Sequence, residues 1–319
     1  MTLDLSVLIV NWNVRDLLDA CLASLHRRPP DDAPKEIVVV DNGSRDGSVA
    51  MVQARYPSVR LIEAPHNPGF AGGTNLAARC ATGRTLLLLN PDTVVLPGAL
   101  RQLTRALRAD PTLGAVGPML LESDGAVQSS RRRFPTATTL FIESTPLQGR
   151  LAARAIARYY FDDVAPTVPV RPDWLVGAAV LIRRTAWEEV GPLDDGYFMY
   201  FEETDWFRRA AARGWRAGFV PEAKVVHYYG KSSEQNVAAR HLRFTASKLR
   251  YAERYHGRRL AGMLGVWLRL LFAEQVAVEA GKWVVGHKRP LRRQRLGQLG
   301  RVLAARWDRQ ASTPYASAG

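Results

Sequence analysis

Cysteine is nearly absent: Cys21 and Cys80 are the only two in 319 residues. Both sit in apolar-periodic segments, so no disulfide framework is expected, and a reducing compartment suits the chain. A basic, apolar leader is also missing. Strand-like "LSVLIV" starts almost at once with Asp4 before it, so no secretory signal is expected. Internal repeats and low-complexity blocks are lacking too, which leaves no sign of a solenoid or a second catalytic domain. Acid is scarce in one region only. Residues 240–319 hold 17 basic and 4 acidic side chains, whereas residues 1–239 hold 27 and 26. The formal charge of +14 is therefore a property of the tail, and a solvated basic face is its plainest reading.

What is present is a strand–helix alternation. The 47% hydrophobic content suits a folded chain, and 319 residues suffice for one large α/β domain with an appendage. The runs "SVLIV" (6–10), "EIVVV" (36–40), "VRLI" (59–62) and "TLLLL" (85–89) read as doubly covered parallel strands. Helices are expected at Val14–His26, Asp46–Tyr56, Gly73–Ala81 and Pro97–Ala109, giving βαβ units in an open twisted sheet. Ligands of such sheets bind beyond the carboxyl ends of the strands. Three polar tips fall there: Asn11-Trp12-Asn13, Asp41-Asn42-Gly43-Ser44 and Asn90-Pro91-Asp92. Further on, Asp124-Gly125 predicts a hairpin turn. An arginine-rich loop follows, then a proline-bearing segment over 140–171, with a helix near 147–160, that could act as a flap. "WLVGAAVLIRR" (174–184) predicts one glycine-bearing strand, and "TAWEEVG" a short helix capped by Thr185 and stopped by Gly191.

Four constellations carry chemistry, and each has a bland alternative. Asp41 ends a strand, where a carboxylate can accept hydrogen bonds from a base imide or a ribose; Asp-Asn-Gly-Ser is equally good turn chemistry. "HNPGFAGGTNLAAR" places Gly69, Gly72 and Gly73 ahead of a helix, where backbone N–H groups can approach a phosphate. It is neither a dinucleotide fingerprint nor a P-loop, having no G-x-G-x-x-G after the first strand and no Gly-Lys-Ser/Thr of its own. Asp92 ends a buried strand and can offer one hard oxygen to a divalent cation, or simply close a β-turn. "YFMYFEETDWFRR" puts Glu202, Glu203 and Asp205 within four residues. Clustered carboxylates repel unless a cation, a helix N-terminus or a proton relieves them. The cluster is thus either dipole-stabilised or a buried general base with a raised pKa. His227 closes another strand-like run, where a histidine is more often structural than a ligand.

Taken in order, "SVLIVNWNVRDLLDACLASL", "EIVVVDNGSRDGS", "NPGFAGGTN", "LLLLNPD", "GAVQSSRRRFPT", "WLVGAAVLIRR", "YFMYFEETDWFRRAAARGW" and "VVHYYGKS" resemble the inverting family 2 glycosyltransferases, in their bacterial rhamnosyltransferase-like branch. The resemblance runs from about residue 5 to 235. It implies the GT-A fold: a Rossmann-like, mixed, mainly parallel sheet flanked by helices, here with a basic helical C-terminal extension. The catalytic domain would be residues 1–239 and the extension 240–319. The family's Asp-x-Asp metal motif is reduced here to Asn90-Pro91-Asp92. That leaves Asp92, with His227, as the expected ligands of Mg²⁺ or Mn²⁺. Asp41 matches the acid that recognises the donor base, with Asn11 and Trp12 in the same pocket. Gly72, Gly73 and Asn75 match the loop beside ribose and diphosphate, and Asn90 is expected among the nucleotide-sugar-binding residues. Glu203 matches the general base, although a Glu stands where Asp is usual, so Glu202 and Asp205 stay open. Arg132, Trp174 and Gly177 match the acceptor or diphosphate side. The implied reaction is inverting transfer of a sugar to a hydroxyl of a glycan or lipid-linked acceptor. A dTDP-rhamnose donor is expected first, a UDP-sugar second.

The tail admits several readings. Residues 260–286 are apolar but interrupted by Arg269, Glu274, Glu279 and Lys282, which argues against a lipid span. With the basic stretch that follows they fit helices on an anionic membrane surface, making the enzyme cytoplasmic and peripheral on the inner face of the cell membrane. The alternatives are packing on the catalytic domain and a homodimer through these helices. Nucleic acid is not an expected partner, because no aromatic platform interleaves the charges. A non-catalytic nucleotide-sugar-binding protein is the rival function class.

Overall fold

The computed structural model describes residues 3–228 and 237–307. The first ninety residues form β1 (Leu3–Asn11), α1 (Arg15–His26), β2 (Pro34–Asp41), α2 (Ser48–Arg55), β3 (Arg60–Glu63), α3 (Gly69–Cys80) and β4 (Thr85–Leu89). Next come β5 (Thr93–Val95), α4 (Ala99–Ala109), β6 (Leu113–Leu121), β7 (Val127–Gln128), β8 (Arg131–Arg132), α5 (Ala137–Ile142) and α6 (Ala153–Tyr160). The sheet-bearing part ends with β9 (Trp174–Leu175), β10 (Ala179–Arg183), α7 (Arg184–Val190), α8 (Glu202–Ala212) and β11 (Arg216–His227). Three helices follow: α9 (Val237–His256), α10 (Arg258–Val284) and α11 (Arg289–Ala304).

The main sheet has the order β3-β2-β1-β4-β10-β6-β11-β5, with β7 beside β6. Strands β3, β2, β1 and β4 are parallel, β10 runs against both β4 and β6, and β11 is parallel to β6. This is the expected mixed, mainly parallel sheet. The four leucines of β4 show why it forms: Leu87 and Leu89 enter one core with Leu18, Leu22 and Leu103. Leu86 and Leu88 enter the opposite core with Ala71, Trp187 and Trp206. A strand whose alternate side chains both find helices has no polar face to show.

Several local expectations needed correction. Helix α3 begins at Gly69, so the glycines lie within its first five residues rather than ahead of it. Gly69 has φ +77°, and a Cβ there would sit 2.2 Å from the Phe198 carbonyl oxygen. A Cβ on Gly73 would lie 2.8 Å from Val10 Cγ1, so this glycine lets α3 approach β1. The 174–184 run is two strands: β9 pairs with β8 in a separate ribbon, and β10 enters the main sheet. Thr185 lies inside α7, whose N-cap is Arg183, while Gly191 ends the helix with φ +86° as expected. The 140–171 segment is pinned rather than loose. Buried Arg131 donates to the Val164 and Ala165 carbonyls, and Arg133 N–H donates to the Tyr159 carbonyl.

The tail packs on the sheet-bearing part. Tyr197, Phe201, Tyr251, Leu264, Leu268 and Trp307 share a third core. Lys248 is buried and donates to the Glu143 carbonyl at 2.7 Å, and Ser247 Oγ donates to the Met199 carbonyl. Against the expectation from its charges, α10 is long and apolar enough to cross a membrane by length and composition, with a mean hydropathy of 1.4 over its most apolar 18 residues. Its charges are spaced so that an 18-residue window holds no more than two of them. Its inner face, however, is taken by the third core.

Candidate functional site

The rim where β1, β2 and β4 end collects most of the expected residues. In the β1–β2 ladder Asn11 stands opposite Asp41, and in the β1–β4 ladder Ile9 stands opposite Leu89, one residue before Asn90. Asn11 is fully buried, and its Nδ2 donates to Asp41 Oδ2 at 2.7 Å and to Ser44 Oγ at 3.1 Å. Asp41 Oδ1 accepts from the Gly43 and Ser44 N–H groups, so the Asx turn and a strand-end carboxylate coexist. Asn11 Oδ1 and Asn42 Oδ1 are buried and find no donor among the described residues. Buried amide oxygens of this kind call for a ligand or water donor. Trp12 follows at the rim, half-buried. Asn42, placed on this rim by the sequence but given no role there, donates to Asn67 Oδ1 and to the Gly69 carbonyl, tying the strand tip to α3.

Not every expected residue reaches the rim with a spare group. The Asn75 amide is spent on the backbone of Leu193, donating at 2.8 Å and accepting at 3.0 Å. Gly72 stands in the first turn of α3, where a Cβ would lie 2.7 Å from Pro68 Cβ. Asn90 serves through its backbone: its N–H donates to the Ala178 carbonyl, and its carbonyl accepts from Thr93 Oγ1.

Asp92 and His227 meet because β11 runs antiparallel to β5, with His227 opposite Thr93. Both are buried, and His227 Nε2 lies 3.4 Å from Asp92 Oδ1. The other ring nitrogen is fixed by Gln128, whose Oε1 lies 2.8 Å from His227 Nδ1. Gln128 Nε2 donates to Glu122 Oε1, and that contact sets which end of the amide faces the histidine. Nδ1 therefore carries the hydrogen toward Gln128, and Nε2 is the ring nitrogen turned toward the Asp92 carboxylate. A carboxylate oxygen and an imidazole nitrogen side by side are both ligand types for a divalent cation. Cis ligands of an octahedral ion with bonds of about 2.1 Å lie about 3.0 Å apart, close to this spacing. Among the described residues no cluster of three or more His, Cys, Asp or Glu could hold a metal. A two-residue site suits Mg²⁺ or Mn²⁺, which complete their shells with water and phosphate. Gln128 was not legible as a partner, because its strand reaches His227 only through the hairpin closed at Gly125 N–H to Glu122 O.

The acid cluster divides by task. All three acids lie in the first turn of α8, not ahead of it. Asp205 is fully buried and saturated: Arg209 Nε donates at 2.8 Å, Tyr255 Oη at 2.7 Å, and Arg254 lies at 3.1 Å. Glu202 is buried with Oε2 unpartnered among the described residues, and burial first, then the charge of Glu203, push its carboxyl well up. Glu203 is pushed up by burial, while helix N–H groups, the Gly177 N–H and the Arg132 charge pull it back. A Cβ at Gly177 would stand 3.5 Å from Glu203 Oε1, an ordinary contact distance, so Gly177 adjoins this carboxylate. Before α8, Tyr200 and Phe201 have φ of +71° and +66°. Consecutive non-glycine residues in that region are strained, and such strain gathers at functional sites. Arg132 stacks 4.2 Å over Tyr160 and donates to Ser129 Oγ. Opposite it in the β8–β9 ribbon, Trp174 donates from Nε1 to the Arg133 carbonyl.

Comparison with known proteins bears on family and fold. The sequence model of Glycosyl transferase family 2 matches residues 6–166. The chain belongs to this family. It is 30% identical over 253 residues to the N-acetylglucosaminyl-diphospho-decaprenol L-rhamnosyltransferase of Mycobacterium tuberculosis, covering 75% of this chain and 80% of that one. It is 28% identical to the rhamnosyltransferase WbbL of Escherichia coli K12, covering 70% and 82%. This family 2 glycosyltransferase thus stands in the rhamnosyltransferase-like branch. In fold it is similar to GalNAc-T7, solved with UDP, GalNAc and Mn²⁺, at a TM-score of 0.57 and 19% identity. That match covers 79% of this chain and 48% of GalNAc-T7, about half its length, and it shows the GT-A fold.

Proposed function

We propose that this glycosyltransferase moves rhamnose from dTDP-rhamnose, with inversion, onto a hydroxyl of a lipid-linked acceptor in cell-surface polysaccharide synthesis. The observation that carries this reading is half-buried Glu203, beside Gly177 and Arg132, whose Oε2 is buried and unpartnered among the described residues. A carboxylate raised above its ordinary range yet partly offset by a cation is suited to take a proton near neutral pH. The rhamnosyl donor and lipid-linked acceptor rest on the names of the relatives above.

In this reading Asn11 and Asp41 line the base pocket. Asp41 Oδ2 can accept a ring imide N–H besides the Asn11 amide hydrogen. Asp92 and His227 would hold a divalent cation, whose chemistry is to neutralise the diphosphate as it departs. Glu203 Oε2 accepts the proton of the acceptor hydroxyl. As that oxygen bonds to the anomeric carbon from the face opposite the nucleotide, the bond to diphosphate breaks. Arg132 adds fixed positive charge beside the reacting groups. Trp174 and Tyr159, with ring centroids 6.4 Å apart, belong to the buried core that backs the Arg132 ribbon. The enzyme would work from the cytoplasmic face of the membrane.

The test is transfer from dTDP-rhamnose and from UDP-hexoses to a diphospho-lipid sugar acceptor, with the product anomer assigned by NMR. An inverted rhamnoside is expected. Retention of configuration, or transfer from a UDP-hexose alone, would overturn the mechanism or the donor respectively.

A further inference from the structure

The outward face of the α10–α11 hairpin has no role in the reaction above, and its chemistry is unusual. Along α10 the outer side chains Met263, Val266, Leu270 and Val284 are 59–67% exposed, and Val285 beyond it is 79% exposed. From Met263 to Val285 this stripe is about 33 Å long at 1.5 Å per residue. At the turn into α11, Trp283, Arg289, Pro290, Arg293 and Gln294 line an open depression of about 560 Å³. The Arg289 guanidinium lies 5.7 Å from the Trp283 ring centroid and donates to the Trp283 carbonyl, so indole and cation are held together. Charge around the stripe is one-sided. Ten Lys and Arg side chains between 258 and 306 are exposed, against Glu274 as the one exposed acid. Glu279 is buried and answered by Arg292 at 2.8 Å.

We infer that this face docks on an anionic phospholipid bilayer. The Met263–Val285 stripe would lie in the interfacial layer, and Arg289, Arg293 and Trp283 would close around a lipid phosphate. An occupant must offer aliphatic cover for the stripe and negative charge at its end. A bilayer with acidic headgroups offers both, and tryptophan beside cations is favoured at that depth. A second copy fits poorly, because two-fold pairing of this face sets its cations against themselves. A nucleic acid meets the arginines but gives Val266, Leu270 and Val284 nothing apolar. The inference deepens the membrane setting proposed above and stands on its own observations.

The full-length protein is sedimented with phosphatidylcholine vesicles, with or without about a third phosphatidylglycerol. Binding to the acidic vesicles alone, weakened by 0.5 M salt, is expected. L270D/V284D and R289E/R293E should each weaken it at least about tenfold, with thermal midpoint and nucleoside diphosphate affinity unchanged. Equal partition of wild type and both variants, no partition at all, or a lipid-free dimer split by L270D/V284D would overturn the inference. Loss of nucleotide binding in wild type would instead sink the transferase reading and leave the docking surface standing.

Discussion

Tyr255 of α9 donates its phenolic hydrogen to Asp205 Oδ1 of α8 at 2.7 Å, joining the C-terminal helices to the turn that carries Glu202 and Glu203. Arg254 adds ion pairs to Asp205 and Asp194, and Ser247 holds the Met199 carbonyl. The strained Tyr200-Phe201 pair is thus braced from the side of the tail. Tyr255→Phe should lower stability by about 2 kcal/mol, as expected for a lost hydrogen bond to a charged group, read by calorimetric unfolding. Asp205→Asn should lower stability as well but leave the pH dependence of kcat/KM in place. A pH profile that loses its acidic limb in Asp205→Asn would make Asp205 the base instead.

Glu203→Gln is expected to reduce kcat by about 10²–10⁴-fold with donor affinity kept. The acidic limb of kcat/KM should lie above the ordinary carboxylate range, because burial raises Glu203. Since the Arg132 charge pulls the carboxyl down, Arg132→Gln should move that limb to still higher pH. A limb that stays put on removing Arg132 would show that the two groups do not sense each other.

Glu202 bears on stability with a definite sign. Its folded pKa is raised, so the folded state holds the proton more tightly than the unfolded chain. The contribution is present below the ordinary carboxylate pKa and is lost as pH rises through the folded value. Glu202→Gln, which keeps the shape without the charge, should match wild type in thermal midpoint in acid and exceed it increasingly toward neutral pH. Parallel midpoint curves for the two proteins would contradict the buried-charge account.

Cys21 is fully buried against the Asn90 carbonyl and Thr93 Oγ1, and burial pushes its thiol up to about 12. Cys80 is also free and only half-buried. A charged thiol reagent should therefore modify one thiol per native chain, and the second only after unfolding.

Much of this architecture could be read before any coordinates. The strand expected at 85–89 is β4 residue for residue, because an unbroken leucine run has no other way to be satisfied in a covered sheet. Asp41 and His227 end β2 and β11 as expected, whereas β4 stops at Leu89 and Asp92 lies in the turn before β5. Glycine chemistry was harder. Gly69 and Gly73 answer to Phe198 and Val10, and the longer of those two separations is 129 residues, invisible to local pattern. The same holds for Gln128, Asn42 and the α9 clasp, whose partners come from distant elements. The division of labour among Glu202, Glu203 and Asp205 also needed the fold. Three adjacent acids look alike until Arg209, Arg254 and Tyr255 claim one of them.

The most direct test of the account is calorimetric binding of dTDP, UDP and GDP, each with and without Mg²⁺ or Mn²⁺, to wild type and Asp92→Ala. The account predicts tight binding of dTDP that needs the metal and weakens at least about tenfold without the Asp92 carboxylate. Nucleotide binding that ignores both the metal and the substitution would contradict it.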